Sequence, residues 1–153
     1  MKTITLTQGK VALVDDEDYE LVSSYVWHFN VYAKRKSRKI EGSARNINMH
    51  TFIMGRKSLD HINRNKLDNR RSNLRVCTPG QNMANRAPYH GKFKGVSWNK
   101  KHKSWVAQLQ VNRHAKHIGY FKTAKDAARA YDERAKETWG EFACLNFAPT
   151  SVR

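Results

Sequence analysis

Cysteine is scarce in this chain of 153 residues: Cys77 and Cys144 stand alone and far apart. Isolated cysteines build neither a disulfide framework nor a Cys-based zinc site, so both read as small buried hydrophobes. Long apolar runs are missing too. No stretch approaches the roughly 18 residues of a membrane span, no apolar signal segment follows Met1-Lys2, and no strong basic amphipathic helix is visible. These absences make a membrane the weaker choice of partner and leave a cytoplasmic location as the expectation. Acidic residues are few as well, 13 against 29 lysines and arginines, for a formal net charge of +16 and a pI of about 10.2. Such an excess selects nucleic acid as the partner.

The charge is unevenly spread. Residues 1–30 carry a balance of −3, owing to Asp15, Asp16, Glu17, Asp18 and Glu20, whereas residues 31–59, 60–90 and 91–153 give +7, +4 and +8. The chain has room for one ordinary domain or two small ones. Pro and Gly lie close together in Arg86-Ala87-Pro88-Tyr89-His90-Gly91, and this segment separates two differently patterned halves, giving expected domains 1–90 and 91–153.

The first half opens with strand-like pieces around Ile4 and Leu6 and over Lys10–Val14, after a Gln8-Gly9 turn. Asp15 is read as the cap of a short helix whose first-turn acids favour the helix dipole, in preference to a metal site. Trp27, Phe29, Val31 and Tyr32 add apolar mass. The basic run Lys34–Lys39 is read either as a solvated hairpin tip or as a phosphate contact.

The chemistry concentrates in Asp60–Arg75, DHINRNKLDNRRSNLR. A carboxylate can hold a divalent metal against a phosphate, and a neighbouring imidazole can take a proton from water near neutral pH. Arg70, Arg71 and Arg75 mark the substrate as an anion. Leu59–Asn63 reads as the end of a strand, Asp68–Leu74 as a loop whose asparagines bond the backbone, and Gly80–Arg86 as a short helix capped by Ser72 or Thr78.

The strings DHIN, SNLR and QNMAN resemble the HNH endonucleases, and more narrowly the phage and intron-borne homing type. That resemblance implies a ββα-metal fold in which Asp60 and Asn82 hold Mg²⁺ or Mn²⁺, His61 is the general base toward water, and Asn73 orients its imidazole. His50 stands where that family commonly has a histidine, and packing beneath the site is favoured over DNA contact. Only Arg56-Lys57-Ser58-Leu59 separates Gly55 from Asp60. This approach is shorter than the family's usual stretch, which puts the strand before the site in question.

In the second half, Val96 and Trp98, then Trp105, Ala107 and Leu109, then Ile118 alternate with polar residues at strand period. A three-stranded antiparallel sheet is expected, with Thr123 capping a helix over 124–139 whose alanines and Tyr131 face the sheet. The parity of Trp98 and Trp105 assigns both to the core. The strings WVAQLQ, IGYF, TAKDAARAYD and LNF resemble the Apetala-type/ethylene-response-factor DNA-binding domain. The resemblance implies that the exposed strand face enters the DNA major groove, with Lys94, Ser97, Asn99, Gln108, Gln110, His117 and Tyr120 at the reading positions. Most of that family's arginine code is absent, so its GC-rich preference does not transfer, and Gln108 and Gln110 suit adenine.

The expected fold is α+β: a small N-terminal sheet region, a ββα-metal unit, then a three-stranded sheet packed on one helix. The expected function is metal-dependent hydrolysis of double-stranded DNA, homing-endonuclease-like, in a bacterial or phage-infected host cell, with no small-molecule substrate. A monomer is expected to nick; a dimer or two successive events would cut both strands. The alternatives are a sequence-specific DNA-binding regulator with a degenerate nuclease site and an RNA-binding protein, for which no RNA module is recognised.

Overall fold

The computed structural model describes residues 1–37, 45–88 and 92–147. The fold is α+β, and the chain divides into two compact units, Met1–Cys77 and Thr78–Arg153. The division falls before the boundary expected near residue 90, so the short helix of the central motif groups with the second unit.

In the first unit, β1 (Lys2–Thr5) and β2 (Val11–Val14) pair antiparallel, joined through a turn in which Gln8 and Gly9 both take positive φ. Helix α1 (Asp16–Ser23) follows. Strands β3 (His28–Asn30), β4 (Tyr32–Lys36) and β5 (Asn46–Asn48) form a second antiparallel sheet in that order. The tip of the basic run beyond Ser37 lies outside the described residues. Helix α2 (Met49–Met54) leads into the hairpin of β6 (Leu59–His61) and β7 (Leu74–Val76). The core gathers Ile4, Leu6, Ala12, Val14, Val22, Trp27, Ala33, Met49 and Ile53. Trp27 is buried whole because its indole N–H donates to the Val22 carbonyl at 2.8 Å, leaving no polar atom unpaired.

Asp15, read as the cap of α1, occupies the N-cap position but does not cap it through its side chain; its carboxylate instead accepts from the Arg71 backbone N–H at 2.7 Å.

In the second unit, α3 (Pro79–Asn85) starts at a capping box. The Thr78 hydroxyl accepts from the Gln81 N–H, and the Gln81 side chain accepts from the Thr78 N–H. Of the two caps expected, Thr78 serves. Strands β8 (Val96–Asn99), β9 (Ser104–Val111) and β10 (His114–Phe121) form an antiparallel sheet with β9 central. Helix α4 (Ala124–Trp139) covers one face. Thr123 caps it, accepting from the Asp126 N–H at 3.1 Å. Ala127, Tyr131 and Ala135 meet Ala107 and Leu109 in a core these small residues let close tightly. Gly95, at φ +72°, is obligatory: a Cβ there would overlap the Tyr131 ring and the Gln108 carbonyl. Asn146 closes the unit, accepting from the Lys94 N–H at 2.6 Å and donating its own N–H to Asp132 at 2.8 Å.

Two expectations change here. Trp105 packs on the core, but Trp98, which shares its face, is 48 % exposed. The two rings meet edge to face at 5.3 Å, and parity alone does not carry Trp98 into the core, where it has no place. Lys94 does not present its charge outward. Its ammonium donates to the carbonyls of Ala84, Arg86 and, at 3.4 Å, Met83, neutralising the C-terminal end of α3.

Both cysteines are buried at 6 % exposure. Among the described residues, no helix is long and apolar enough to cross a membrane.

Candidate nuclease site

Despite the short approach, β6 forms. Gly55 ends α2 in the left-handed conformation and Ser58 also takes positive φ. These two reversals turn the chain within a few residues, and the Cys77 N–H donates to the Ser58 carbonyl at 3.0 Å, extending the β6–β7 ladder. In the ladder Asp60 faces Arg75 and His61 faces Leu74. Asp60 and His61 are buried, at 7 % and 5 % exposure.

The loop between the strands is built from asparagine bonds. The Asn73 side chain accepts from the Asn63 N–H at 2.9 Å and donates to the Asp68 carbonyl at 2.8 Å. Asn63 donates to the Asp68 carboxylate and accepts from the Asn65 N–H, both at 2.8 Å. Asn73 thus pins both ends of the loop following His61. Beside the imidazole lies Asn69, whose Oδ1 is 3.4 Å from His61 Nε2. Asn69 is 1 % exposed and its amide donates to the Leu67 carbonyl at 3.3 Å. Its backbone N–H bonds Leu13 on β2 at 2.8 Å. The motif drew attention to Asn73; Asn69 carries no periodic or spacing signal of its own.

Two further aromatic rings surround the imidazole. His50 meets His61 edge to face at 5.0 Å, and Tyr32 lies 5.4 Å from His50 and 6.0 Å from His61. Burial lowers the His61 pKa, with Asn69, Asp60 and Asp68 acting in the opposite direction. Burial, with the His61 charge adding to it, lowers His50 further, to about 4. Both rings are therefore neutral at pH 7. A neutral imidazole can accept a proton; an imidazolium cannot.

The arginines read as substrate contacts each have an internal partner. Arg70 grips Asp68 with two bonds of 2.7 Å. Arg71 reaches back 53 residues to Asp18, at 2.8 and 2.7 Å, and contacts Glu17 at 3.1 Å. Arg75 reaches Asp60 Oδ2 through Nε and Nη2 at 3.2 and 3.1 Å. Charge density in the sequence marks cations without marking their counter-ions, and here the counter-ions are aspartates and Glu17. Asp15, Glu17 and Asp18 are the described acids grouped as a metal could use them, yet Arg71 fills that position.

The residues implied as metal ligands offer an aspartate carboxylate and an amide oxygen. Hard oxygen donors suit Mg²⁺ or Mn²⁺, and Mg²⁺ needs few of them because water and phosphate complete its shell. Arg75 engages the Asp60 carboxylate, and a carboxylate with an amide oxygen is the kind of oxygen donor set a divalent ion takes. Asn82 is exposed on α3, in the second unit.

On the second unit, pairing aligns Ser97 with Val106, Tyr120 with Val106 and His117 with Gln108. These side chains and Gln110 thus share the sheet face opposite α4. A bulge between His117 and Gly119 brings His117 and Tyr120 to the same side, their rings 4.7 Å apart. Asn99 belongs to this face by parity, but its Oδ1 accepts from the His102 N–H at 3.0 Å.

The HNH endonuclease family model matches residues 55–84. An uncharacterized HNH endonuclease of Acanthamoeba polyphaga mimivirus is 32% identical over 146 residues, covering 91% of this chain and 76% of the relative. The dehydration-responsive element-binding protein 2A of Arabidopsis thaliana is 45% identical over 60 residues, which span 36% of this chain and 17% of that protein. No solved structure matches the chain.

Proposed function

Because the chain belongs to the HNH endonuclease family, we propose that it is a divalent-metal-dependent DNA endonuclease of the homing type whose second unit binds the target. The observation that carries this reading is the Asp60-His61 pair on one buried strand. His61 accepts the proton of the attacking water. Asn69 holds the ring through its Nε2 side, and Asn73 fixes the backbone of the loop that delivers Asn69. Asp60 would hold the divalent ion, which when bound contributes Lewis-acid stabilisation of the phosphate and the leaving 3′ oxygen.

The second unit supplies affinity and register. Residues 92–122 contain seven basic side chains beyond Lys94 and no acid, and Ser97, Gln108, Gln110, His117 and Tyr120 face outward between the turns that carry most of them. The resemblance of this half to the Apetala-type domain and the shared stretch with a plant element-binding protein support the DNA-binding assignment.

A second reading rests on the Asp60–Arg75 ion pair: a carboxylate already paired with a guanidinium suits a DNA-binding regulator with a relic site. Incubating the protein with the DNA flanking its own reading frame, with Mg²⁺ or with EDTA, separates the two. A metal-dependent nick or break is the outcome for the enzyme. Specific binding without cleavage is the outcome for the regulator.

A further inference from the structure

We infer that the exposed face of the β8–β9–β10 sheet selects target sites by adenine, through the side chains of Gln108 and Gln110. This rests on the reading that the second unit binds DNA, and it names the class of site bound. Both glutamines are exposed on the outward face of the central strand. Neither side-chain amide has a hydrogen-bond partner among the described residues, whereas Asn99 is committed to its own turn. A glutamine amide presents a donor and an acceptor side by side, which matches adenine N7 and N6–H₂ in the major groove.

The composition of the face argues against the alternative base. Guanine is read chiefly by a bidentate arginine on O6 and N7, and VSWN, SWVAQLQV and HAKHIGYF contain no arginine. Their single cation, Lys116, pairs with Leu109 and so falls out of line with the glutamines. The positive charge is gathered at the ends: Lys100, Lys101 and Lys103 between β8 and β9, and Arg113 between β9 and β10. A neutral amide-bearing centre between cationic ends divides the work, with phosphates at the rim and base edges in the middle.

Strand geometry adds a spacing. Residues two apart on a strand are separated by about 6.8 Å, and base pairs follow one another about every 3.4 Å. Gln108 and Gln110 therefore address positions about two base-pair steps apart.

The test is selection of sites from a random duplex pool by the full-length protein in EDTA, so that binding is read without cleavage. The expected result is enrichment of A·T pairs at two positions separated by one base pair. Gln110→Arg should change one of these positions to G·C, with a preference of about 5- to 150-fold, the range of one good bidentate contact. Salt-dependent retention of duplexes without fixed A·T positions, or an unchanged preference in Gln110→Arg, would overturn the adenine assignment alone. Retention of no duplex at all would overturn the DNA-binding reading beneath it.

Discussion

Asn69 Oδ1 stands 3.4 Å from His61 Nε2, on a residue whose backbone is bonded to β2. The contact is long for a hydrogen bond, as unliganded catalytic contacts often are. On this account Asn69 is a positioning residue. Asn69→Ala should lower kcat about 10- to 100-fold, the usual cost of losing an orienting partner, with KM little changed. Steady-state cleavage of a defined duplex gives both constants. A loss confined to KM would contradict the assignment.

Asp18 is 3 % exposed and holds Arg71 by two bonds. Arg71, half exposed, can recover water when its partner is removed, which limits the cost. Asp18→Ala should therefore destabilise the first unit by about 1–2 kcal/mol. Urea denaturation followed by tryptophan fluorescence reads this directly, since Trp27 lies in that unit's core.

The Arg70 guanidinium, followed by the Asn63 amide, holds the Asp68 carboxyl below its ordinary pKa, against the opposing effect of burial. A depressed folded pKa means stability that is complete above the unfolded value of about 3.9 and is lost as pH falls through the folded value. Wild type should thus lose stability below about pH 4 more steeply than Asp68→Asn. Thermal melts from pH 6 to pH 2.5 compare the two.

Much of the second unit was legible because its signals are local. Thr123 caps α4 three residues before Asp126, and the alternation of Trp105, Ala107 and Leu109 is a contact pattern written in adjacent residues. Asp60 and His61 were legible through their motif. The partners were not. Arg71 finds Asp18 across 53 residues, Lys94 turns to the end of α3, and Asn69 lies against the imidazole. Each depends on how distant segments meet, for which periodicity and charge counts hold no information. Trp98 shows the complementary limit: alternation assigns a face but not the extent of its cover.

Binding should respond to salt through the rim cations of the second unit. If six to eight phosphates are contacted, log affinity should fall against log salt with a slope of roughly −5 to −7. Replacing Lys100 and Lys101 with alanine should reduce that slope by about 2 and weaken binding across all sequences alike. Fluorescence anisotropy on a labelled duplex measures it, and a flat salt response would reject the electrostatic account.

The central claim is that His61 takes the proton from the attacking water without serving in DNA affinity. Parallel measurement of cleavage in Mg²⁺ and of duplex binding in EDTA, for wild type and His61→Ala, tests it most directly. His61→Ala should abolish cleavage while the binding constant stays nearly unchanged. Equal loss of cutting and binding, or cutting that survives the substitution, would contradict it.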